Sequence, residues 1–251
     1  MYKFKRWRVL LDAMVLLLVV FNWVVVLAFP PKENIHTFNG EPIQIVVICT
    51  NLFILVAALF ASTKQLSWRN IGLLAAFILL DVGMGKTFWH TGIPLYLDTI
   101  GCIAAALLLG TRFGVACSAS YYLILALWDP GMLLFAPLNM VVAIIAGKSH
   151  ELGGMANLVP VLINGLFTGL LTSLLAAPLN ITLLGPIIRQ GQPSTAQLLN
   201  EIRYTTIGFQ DGFGFSDPLD KTLTFLIAYI LVVWLPQTWL KHHRNAGVDL
   251  T

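Results

Sequence analysis

The stretch DTIGCIAAALLLGTRFGVACSASYYLILALW, residues 98–128, decides the fold class of this protein. It consists of two apolar runs that are separated only by Gly-Thr-Arg-Phe-Gly at 110–114. A single helix over all of these residues would exceed the roughly 30 Å hydrocarbon core of a bilayer. The stretch therefore predicts two membrane-spanning helices, 98–110 and 113–128, joined by a tight turn.

Similar apolar runs continue on both sides of this pair. Three precede it and three follow it, at 9–29, 43–61, 70–82, 132–147, 156–184 and 221–239. Of the 251 residues, 57% are hydrophobic and 11% are charged, and the mean hydropathy is +0.81. A soluble domain carries about 25% charged residues, and a disordered chain is less hydrophobic than this one. The sequence therefore predicts an all-α integral membrane protein with about eight transmembrane helices.

The distribution of Lys and Arg predicts the orientation of these helices. If the N-terminus is cytoplasmic, the cytoplasmic segments hold ten basic residues: Lys3, Lys5, Arg6, Arg8, Lys64, Arg69, Arg112, Lys148, Lys241 and Arg244. The outer segments then hold five: Lys32, Lys86, Arg189, Arg203 and Lys221. Because basic residues are enriched in cytoplasmic segments, we predict that both termini lie inside, N-in and C-in. The net charge of +3 is too small to indicate a nucleic-acid partner.

The first apolar run follows a basic head and ends near Val26-Leu-Ala28, which resembles a signal-peptide cleavage site. The run has about 20 residues, whereas the apolar core of a signal peptide has roughly 7–15. We therefore expect an uncleaved first helix. The predicted cytoplasmic links are short and basic, so we expect no soluble catalytic domain and no ATP-binding domain.

Several common catalytic and metal-binding patterns are missing from the sequence. Its three cysteines, Cys49, Cys102 and Cys117, lie in apolar runs without a CxxC pair, which argues against a disulfide framework or a zinc site. The segment Gly83-Met-Gly-Lys-Thr87 lacks the first glycine of a phosphate loop, because position 80 is Leu80. There is no HExxH and no GxSxG. We therefore predict a protein that is not an enzyme and that holds no cofactor or metal.

The predicted outer loop at 83–97 is rich in aromatic residues. It contains Trp89, His90 and Tyr96 beside glycine and proline. Trp and Tyr at the end of a membrane helix often form an aromatic belt at the headgroup level. The alternative interpretation is a loop that closes over a ligand with its aromatic faces. The residues alone leave both interpretations open.

Two predicted helices begin with acidic residues on the outer side. Asp98 precedes the apolar run of the fourth helix and is placed to cap it. Asp217 is placed as the N-cap of the last helix, with Asp220 and Lys221 in the first turn. Such caps satisfy N–H groups that lipid cannot satisfy. The same side chains are also candidates to face a ligand at the outer surface.

Three other polar residues lie within or beside predicted spans. Asn139 and Asn164 are intramembrane amides, which face protein or a cavity rather than lipid. Hydrogen bonding between helices and a polar pocket both account for them. Asp81 lies at the outer end of its span, where we expect it to reach water.

Small residues at helical spacing indicate close helix packing at two places. Gly165 and Gly169 form a GxxxG pattern, and Gly72 and Ala76 form a small-xxx-small pattern. Packing within the chain is one interpretation of both. A docking face for a partner subunit is the other.

The order of several short motifs resembles that of a known transporter family. The motifs are PLYLDTIG at 94–101, AAALLLG at 104–110, FG at 113–114, PLN at 137–139, IAG at 145–147 and DPLDK at 217–221. Over residues 70–240 the sequence resembles the substrate-binding S components of energy-coupling-factor (ECF) vitamin transporters. The resemblance implies a six-helix core over 70–251. Residues 1–69 would then form a two-helix N-terminal addition, which departs from the family pattern.

The resemblance also implies a function and a set of site residues. Loop 83–97 would be the lid, and the first core helix would dock on a membrane coupling subunit through Gly72 and Ala76. The substrate-binding candidates are Trp89, His90, Tyr96, Asp98, Asn139, Asn164, Asp217, Asp220 and Lys221.

The expected partners are a small water-soluble nutrient, membrane lipid, a coupling subunit and two ATPase subunits on other chains. The expected location is the bacterial or archaeal cell (inner) membrane, as a multi-pass protein. The aromatic side chains suit a heterocycle such as a vitamin or a related precursor. A sensory membrane module that binds an outer ligand and signals to a partner is the alternative function, and an intramembrane enzyme is a third with less support.

Overall fold

The computed structural model describes residues 2–31, 38–89, 95–189 and 216–235. Within these ranges all regular secondary structure is helical, which confirms the all-α fold class there. The α-helices are α1 Tyr2–Ala28, α2 Pro42–Ala61, α3 Trp68–Trp89, α4 Ile100–Leu109, α5 Thr111–Leu125, α6 Ala136–Glu151, α7 Leu158–Arg189 and α8 Ser216–Trp234. Two 3₁₀ helices, Thr63–Gln65 and Pro130–Phe135, lie between them.

The helices follow the apolar runs of the sequence in order. Four helical stretches are long and apolar enough to cross a membrane: Pro42–Ala61, Trp68–Thr87, Pro130–Glu151 and Leu158–Leu179. Two shorter apolar helices are Asp12–Ala28 and Ile100–Leu109. The fold is therefore that of a helical membrane protein. The count of eight spans and the orientation of the termini stay predictions.

Helix α4 forms the centre of the core, since all ten of its residues are buried. It packs against α3, α5, α6 and α8. The turn from α4 into α5 is shorter than the five residues expected at 110–114, because helix resumes at Thr111. Gly110 alone makes this turn with φ of 102°, a backbone conformation that glycine adopts without strain.

The two N-terminal helices pack on the core through polar contacts as well as apolar ones. Arg112, at the start of α5, donates from Nε to Oδ1 of Asp12 at 2.7 Å and from Nη2 to Oδ2 at 3.1 Å. Its Nη1 donates to the carbonyl of Ala61, at the end of α2, at 2.9 Å. Trp23 of α1 donates to the carbonyl of Leu175 in α7 at 3.1 Å. These bonds join α1 and α2 to the rest of the structure.

The GxxxG pattern of α7 packs within the chain. A Cβ atom on Gly165 would lie 2.6 Å from the Cα of Thr222, and one on Gly169 would overlap Pro218. Both neighbours belong to the first turns of α8. The two glycines therefore allow the backbones of α7 and α8 to approach closely, which fixes where α8 begins relative to the core.

Candidate functional site: a buried carboxylate–lysine cluster

Four helices bring polar side chains together at one end of the structure. Asp98 comes just before α4, Lys221 lies in α8, Tyr121 lies near the end of α5 and Asn139 lies near the start of α6. We call these residues, together with Asp220 of α8, the Asp98 cluster. The starts of α4, α6 and α8 and the end of α5 meet at this place.

The strongest contact in the cluster is the ion pair between Lys221 and Asp220. Lys221 Nζ lies 2.8 Å from Asp220 Oδ2, and the two residues are only 6% and 0% exposed. The same ammonium lies 3.4 Å from the hydroxyl of Thr99 and 3.5 Å from Oδ1 of Asp98. A buried charge is costly unless it is paired, so Asp220 is the group that makes a buried lysine tolerable here.

Asp220 also holds the end of the segment that leads into α4. Its Oδ1 accepts hydrogen bonds from the backbone N–H groups of Tyr96 at 2.9 Å and Leu97 at 2.8 Å. Leu97 has φ of +49°, which is uncommon for a residue other than glycine. The carboxylate of α8 thus stabilises a strained connection one residue before Asp98.

Asp98 itself is less completely bonded. Its Oδ2 accepts from the Tyr121 hydroxyl at 3.4 Å and from the Asn139 amide at 3.5 Å, both at the long limit for a hydrogen bond. Its Oδ1 is buried and has no hydrogen-bond partner; Lys221, at 3.5 Å, is near it only as an ion pair. Asp98 is therefore a largely buried carboxylate with unused acceptor capacity.

The expectation that Asp98 caps α4 is wrong. The N-cap position of α4 is Thr99, and it makes no side-chain cap bond. The cap comes instead from Asp81 of α3, whose carboxylate accepts from the N–H groups of Gly101 at 2.6 Å and Cys102 at 2.9 Å. Gly101 permits this approach because a side chain there would overlap the α3 backbone.

Asp81 is therefore fully buried, at 0% exposed, and the expectation that it reaches water is also wrong. Local sequence favoured Asp98 as the cap because it directly precedes the helix. The helix N-terminus is satisfied across the helix interface instead, which leaves the Asp98 side chain available to the cluster.

Asp217 lies beside the cluster rather than in it. Helix α8 begins at Ser216, so Asp217 falls within the first turn and not at the N-cap position that we expected. Its Oδ2 accepts a hydrogen bond from the Ser173 hydroxyl of α7 at 3.2 Å. It contributes a third carboxylate to this end of α8.

Asn164 does not join the Asp98 cluster. It lies near the start of α7, where its Nδ2 donates to the carbonyls of Gly154 and Pro160, both at 2.9 Å. Its Oδ1 accepts from Ser149, near the end of α6, at 2.6 Å. These bonds hold the α6–α7 connection at the opposite end of the structure, so helix-to-helix bonding accounts for this amide.

The aromatic candidates are only partly placed. Trp89 is the last residue of α3, and His90 lies outside the part of the chain that the structure describes. Tyr96 donates its backbone N–H to Asp220, and the residue as a whole is 45% exposed. The proposed roles of these three residues in ligand binding stay predictions.

The other predicted interface, on α3, is open. Gly72 and Ala76 are exposed, and a Cβ on Gly72 would meet nothing within 4 Å. Leu79, one turn further along the same helix, is 69% exposed. Unlike the glycines of α7, these small residues face no other part of the chain within the ranges described.

The described residues contain no group of three or more His, Cys, Asp or Glu side chains that could hold a metal ion. All three cysteines are free, and Cys102 and Cys117 are buried. The Asp98 cluster brings a largely buried carboxylate, a paired ammonium, a phenol and an amide together, all of which donate or accept hydrogen bonds.

Two members of this arrangement escaped the sequence analysis. Tyr121 lies in an apolar run, where aromatic residues are ordinary, and Thr99 was not singled out beside Asp98. A usable signal was present for Tyr121, because Ser118, Tyr121 and Tyr122 give the second half of an otherwise apolar run a polar character.

Comparisons with protein-family models, with curated proteins and with solved structures find no match for this chain.

Proposed function

We propose that this protein is the substrate-capture subunit of an ECF-type importer. It binds a small water-soluble nutrient, such as a vitamin or a related precursor, from outside the cell. It delivers the nutrient inward together with a coupling subunit and two ATPase subunits on other chains. The predicted site of capture is the Asp98 cluster, at the end of the helices that the distribution of basic residues assigns to the outer face.

The observation that carries this proposal is the incompletely bonded Asp98. A buried acceptor that lacks a partner costs about 1–3 kcal/mol, and more when it is charged. Membrane proteins keep ionisable groups of this kind chiefly at substrate and ion pathways. Asp98 Oδ1 is buried without a hydrogen bond while its neighbours Asp81 and Asp220 are fully used. A bound ligand that donates to Asp98 would complete the cluster.

The partner subunits are proposed from the open face of α3 and from the sequence resemblance. A helix in a membrane associates through small residues that let backbones approach. Gly72 and Ala76 offer such a surface, and no described part of this chain covers it. The glycines of α7 form a similar surface of small residues, but α8 already packs on it.

The test is to purify the tagged chain from its native membranes in a mild detergent and to identify the copurifying proteins and small molecules by mass spectrometry. We expect two ATPase subunits, a membrane coupling subunit and a bound small molecule. Gly72→Leu is expected to lose the protein partners and keep the small molecule. Leu166→Phe, which adds bulk at an exposed position on α7, serves as the control that keeps both.

Copurification with a kinase and no ATPase subunits would replace this proposal with the sensory module. A preparation that contains neither partners nor a small molecule would overturn both functions.

A further inference from the structure

We infer that the substrate presents a positively charged nitrogen, or an equivalent group of N–H donors, to Asp98. This inference rests on the proposed function, since it names the chemical class of substrate that the Asp98 cluster takes. The inference follows from comparing the charged groups at this end of the structure that already have close protein partners with the one that does not.

The positively charged groups at this end of the structure already have partners within the protein. Lys221 Nζ is 2.8 Å from Asp220 Oδ2 and also lies near Thr99 and Asp98. Lys86, in the last turn of α3, lies with its Nζ 3.6 Å from the ring centre of Trp128, in a cation–π contact. Among the side chains that the structure describes at this end, both lysines are thus engaged. An anionic substrate would have to compete with these contacts for either ammonium.

The negative charge exceeds the positive charge. The first turns of α8 and the adjoining Asp98 carry three carboxylates, those of Asp98, Asp217 and Asp220. Lys221 supplies the one ammonium among these residues. Asp220 is saturated by two backbone N–H groups and Lys221, and Asp217 accepts from Ser173. One ammonium cannot balance three carboxylates, and of the three Asp98 is the one with a buried oxygen, Oδ1, that receives no hydrogen bond.

The hydrogen-bonding groups around Asp98 point to the same chemistry. Tyr121 and Asn139 reach its Oδ2 only at 3.4 and 3.5 Å, so both contacts are weak enough for a ligand to shorten or replace. A cationic nitrogen forms the shorter and stronger charge-assisted bond to a carboxylate. The Tyr121 hydroxyl and the Asn139 amide oxygen would then remain as further acceptors for N–H groups of the same ligand.

The experiment uses a defined equimolar mixture of water-soluble vitamins, nucleobases, amino acids and polyamines, in which cationic, neutral and anionic compounds are all present. The full-length protein in mild detergent is incubated with the mixture and separated by gel filtration, and the retained compounds are quantified by mass spectrometry. The variants are Asp98→Asn, which keeps the shape and removes the charge, and Tyr121→Phe. Glu151→Gln removes a carboxylate at the opposite end, where Glu151 pairs with Lys148 at 2.7 Å.

We expect the wild type to retain a compound with a protonated amine, amidine or ring nitrogen. Asp98→Asn should lower its retention about 10–100-fold, the value of a hydrogen bond to a charged group. Glu151→Gln should leave retention unchanged. Retention of an anionic compound that depends on the cluster would overturn this inference and leave the proposed function intact. Retention of no compound would count against both.

Asp98→Asn alone is open to the objection that it distorts the site. Tyr121→Phe answers this, because it removes one hydroxyl and keeps every charge. We expect it to weaken retention of the same compound by less than Asp98→Asn does. A larger loss in Tyr121→Phe than in Asp98→Asn would show that charge is not the basis of recognition and would overturn the inference.

Discussion

Each end of this helical structure pairs a basic residue with acidic side chains, and the two pairings differ in how completely the protein satisfies them. At one end, Arg112 binds Asp12 through two bonds of 2.7 and 3.1 Å and binds the Ala61 carbonyl at 2.9 Å. At the other end, Lys221 binds Asp220 at 2.8 Å but lies 3.5 Å from Asp98. Each of the three guanidinium nitrogens of Arg112 binds a protein group, whereas Asp98, beside Lys221, keeps one buried oxygen without a hydrogen bond.

The difference teaches which charges serve the fold and which are available to a ligand. Guanidinium and carboxylate match in shape and bond in pairs, so the Arg112 contact fixes α1 and α2 on the core. An ammonium is a point charge, and it is satisfied mainly by its sequence neighbour Asp220. The Arg112 pair is also the more exposed one, since Asp12 is 39% and Arg112 19% exposed at the side chain, against 15% for Asp98 and 7% for Lys221.

The largest expected effect comes from removing the carboxylate that pairs with Lys221. Asp220→Ala leaves a buried ammonium without its close partner and frees the N–H groups of Tyr96 and Leu97. Breaking a buried pair from one side costs about 3–5 kcal/mol of unfolding free energy. Chemical denaturation in detergent micelles measures this loss. Asp217→Ala removes only the bond to Ser173 and serves as the control. An equal loss of unfolding free energy in Asp217→Ala would refute the claim that Asp220 stabilises the fold by pairing with the buried Lys221.

At the other end, Arg112→Ala should cost less. It removes hydrogen bonds to a charged partner that is partly exposed, which we expect to lower the unfolding free energy by about 1.5–3 kcal/mol. Arg112→Lys should recover part of this, because the charge remains while the fork is lost. Ligand retention should be unchanged in both variants, as measured by the gel-filtration assay. A loss of ligand retention in Arg112→Ala would contradict the claim that only the Asp98 end of the structure binds the ligand.

The small residues of α7 and α3 offer a comparison of the same kind. Gly169→Ala places a Cβ against Pro218 of α8 and should destabilise the protein by about 1–3 kcal/mol. Gly72→Ala meets nothing within 4 Å and should leave the unfolding free energy unchanged or slightly raised, since alanine is the better helix former. Thermal unfolding of the purified chain measures both. Equal destabilisation by the two variants would show that the α3 face is covered.

Much of the fold, and less of the site, was predictable from the sequence. The helices follow the apolar runs, because a backbone in lipid must satisfy its hydrogen bonds within each segment. The fold brings Asp98, Asn139, Asp220 and Lys221 together, while their role in binding a substrate stays a prediction. The contacts that each of them makes were not predicted.

The errors have a common physical cause. The cap of α4 comes from Asp81, which is about twenty residues earlier in the chain and is brought close by packing at Gly101. Local rules assign caps to the nearest polar residue, and they do not register a carboxylate that arrives from another helix. Asn164 was misjudged for the same reason, since its amide looked equivalent to that of Asn139 in the sequence. In the structure Asn139 contacts Asp98 near the start of α6, whereas Asn164 contacts Ser149 near the end of α6.

The smallest expected effect on stability, and the largest on binding, belongs to Asp98→Asn. It removes no short hydrogen bond and leaves Lys221 paired with Asp220, so the unfolding free energy should change by less than about 1 kcal/mol. Asp12→Asn is the matched change at the other end, where it weakens the two bonds of Arg112.

The most direct test of the account is the thermal unfolding of Asp98→Asn and Asp12→Asn, each measured with and without the compound that the wild type retains. We predict that Asp98→Asn unfolds at the wild-type temperature and loses the stabilisation by the compound. Asp12→Asn should unfold at a lower temperature and keep that stabilisation. An Asp98→Asn protein that unfolds early and is still stabilised by the compound would contradict the claim that the charge of Asp98 serves the ligand rather than the fold.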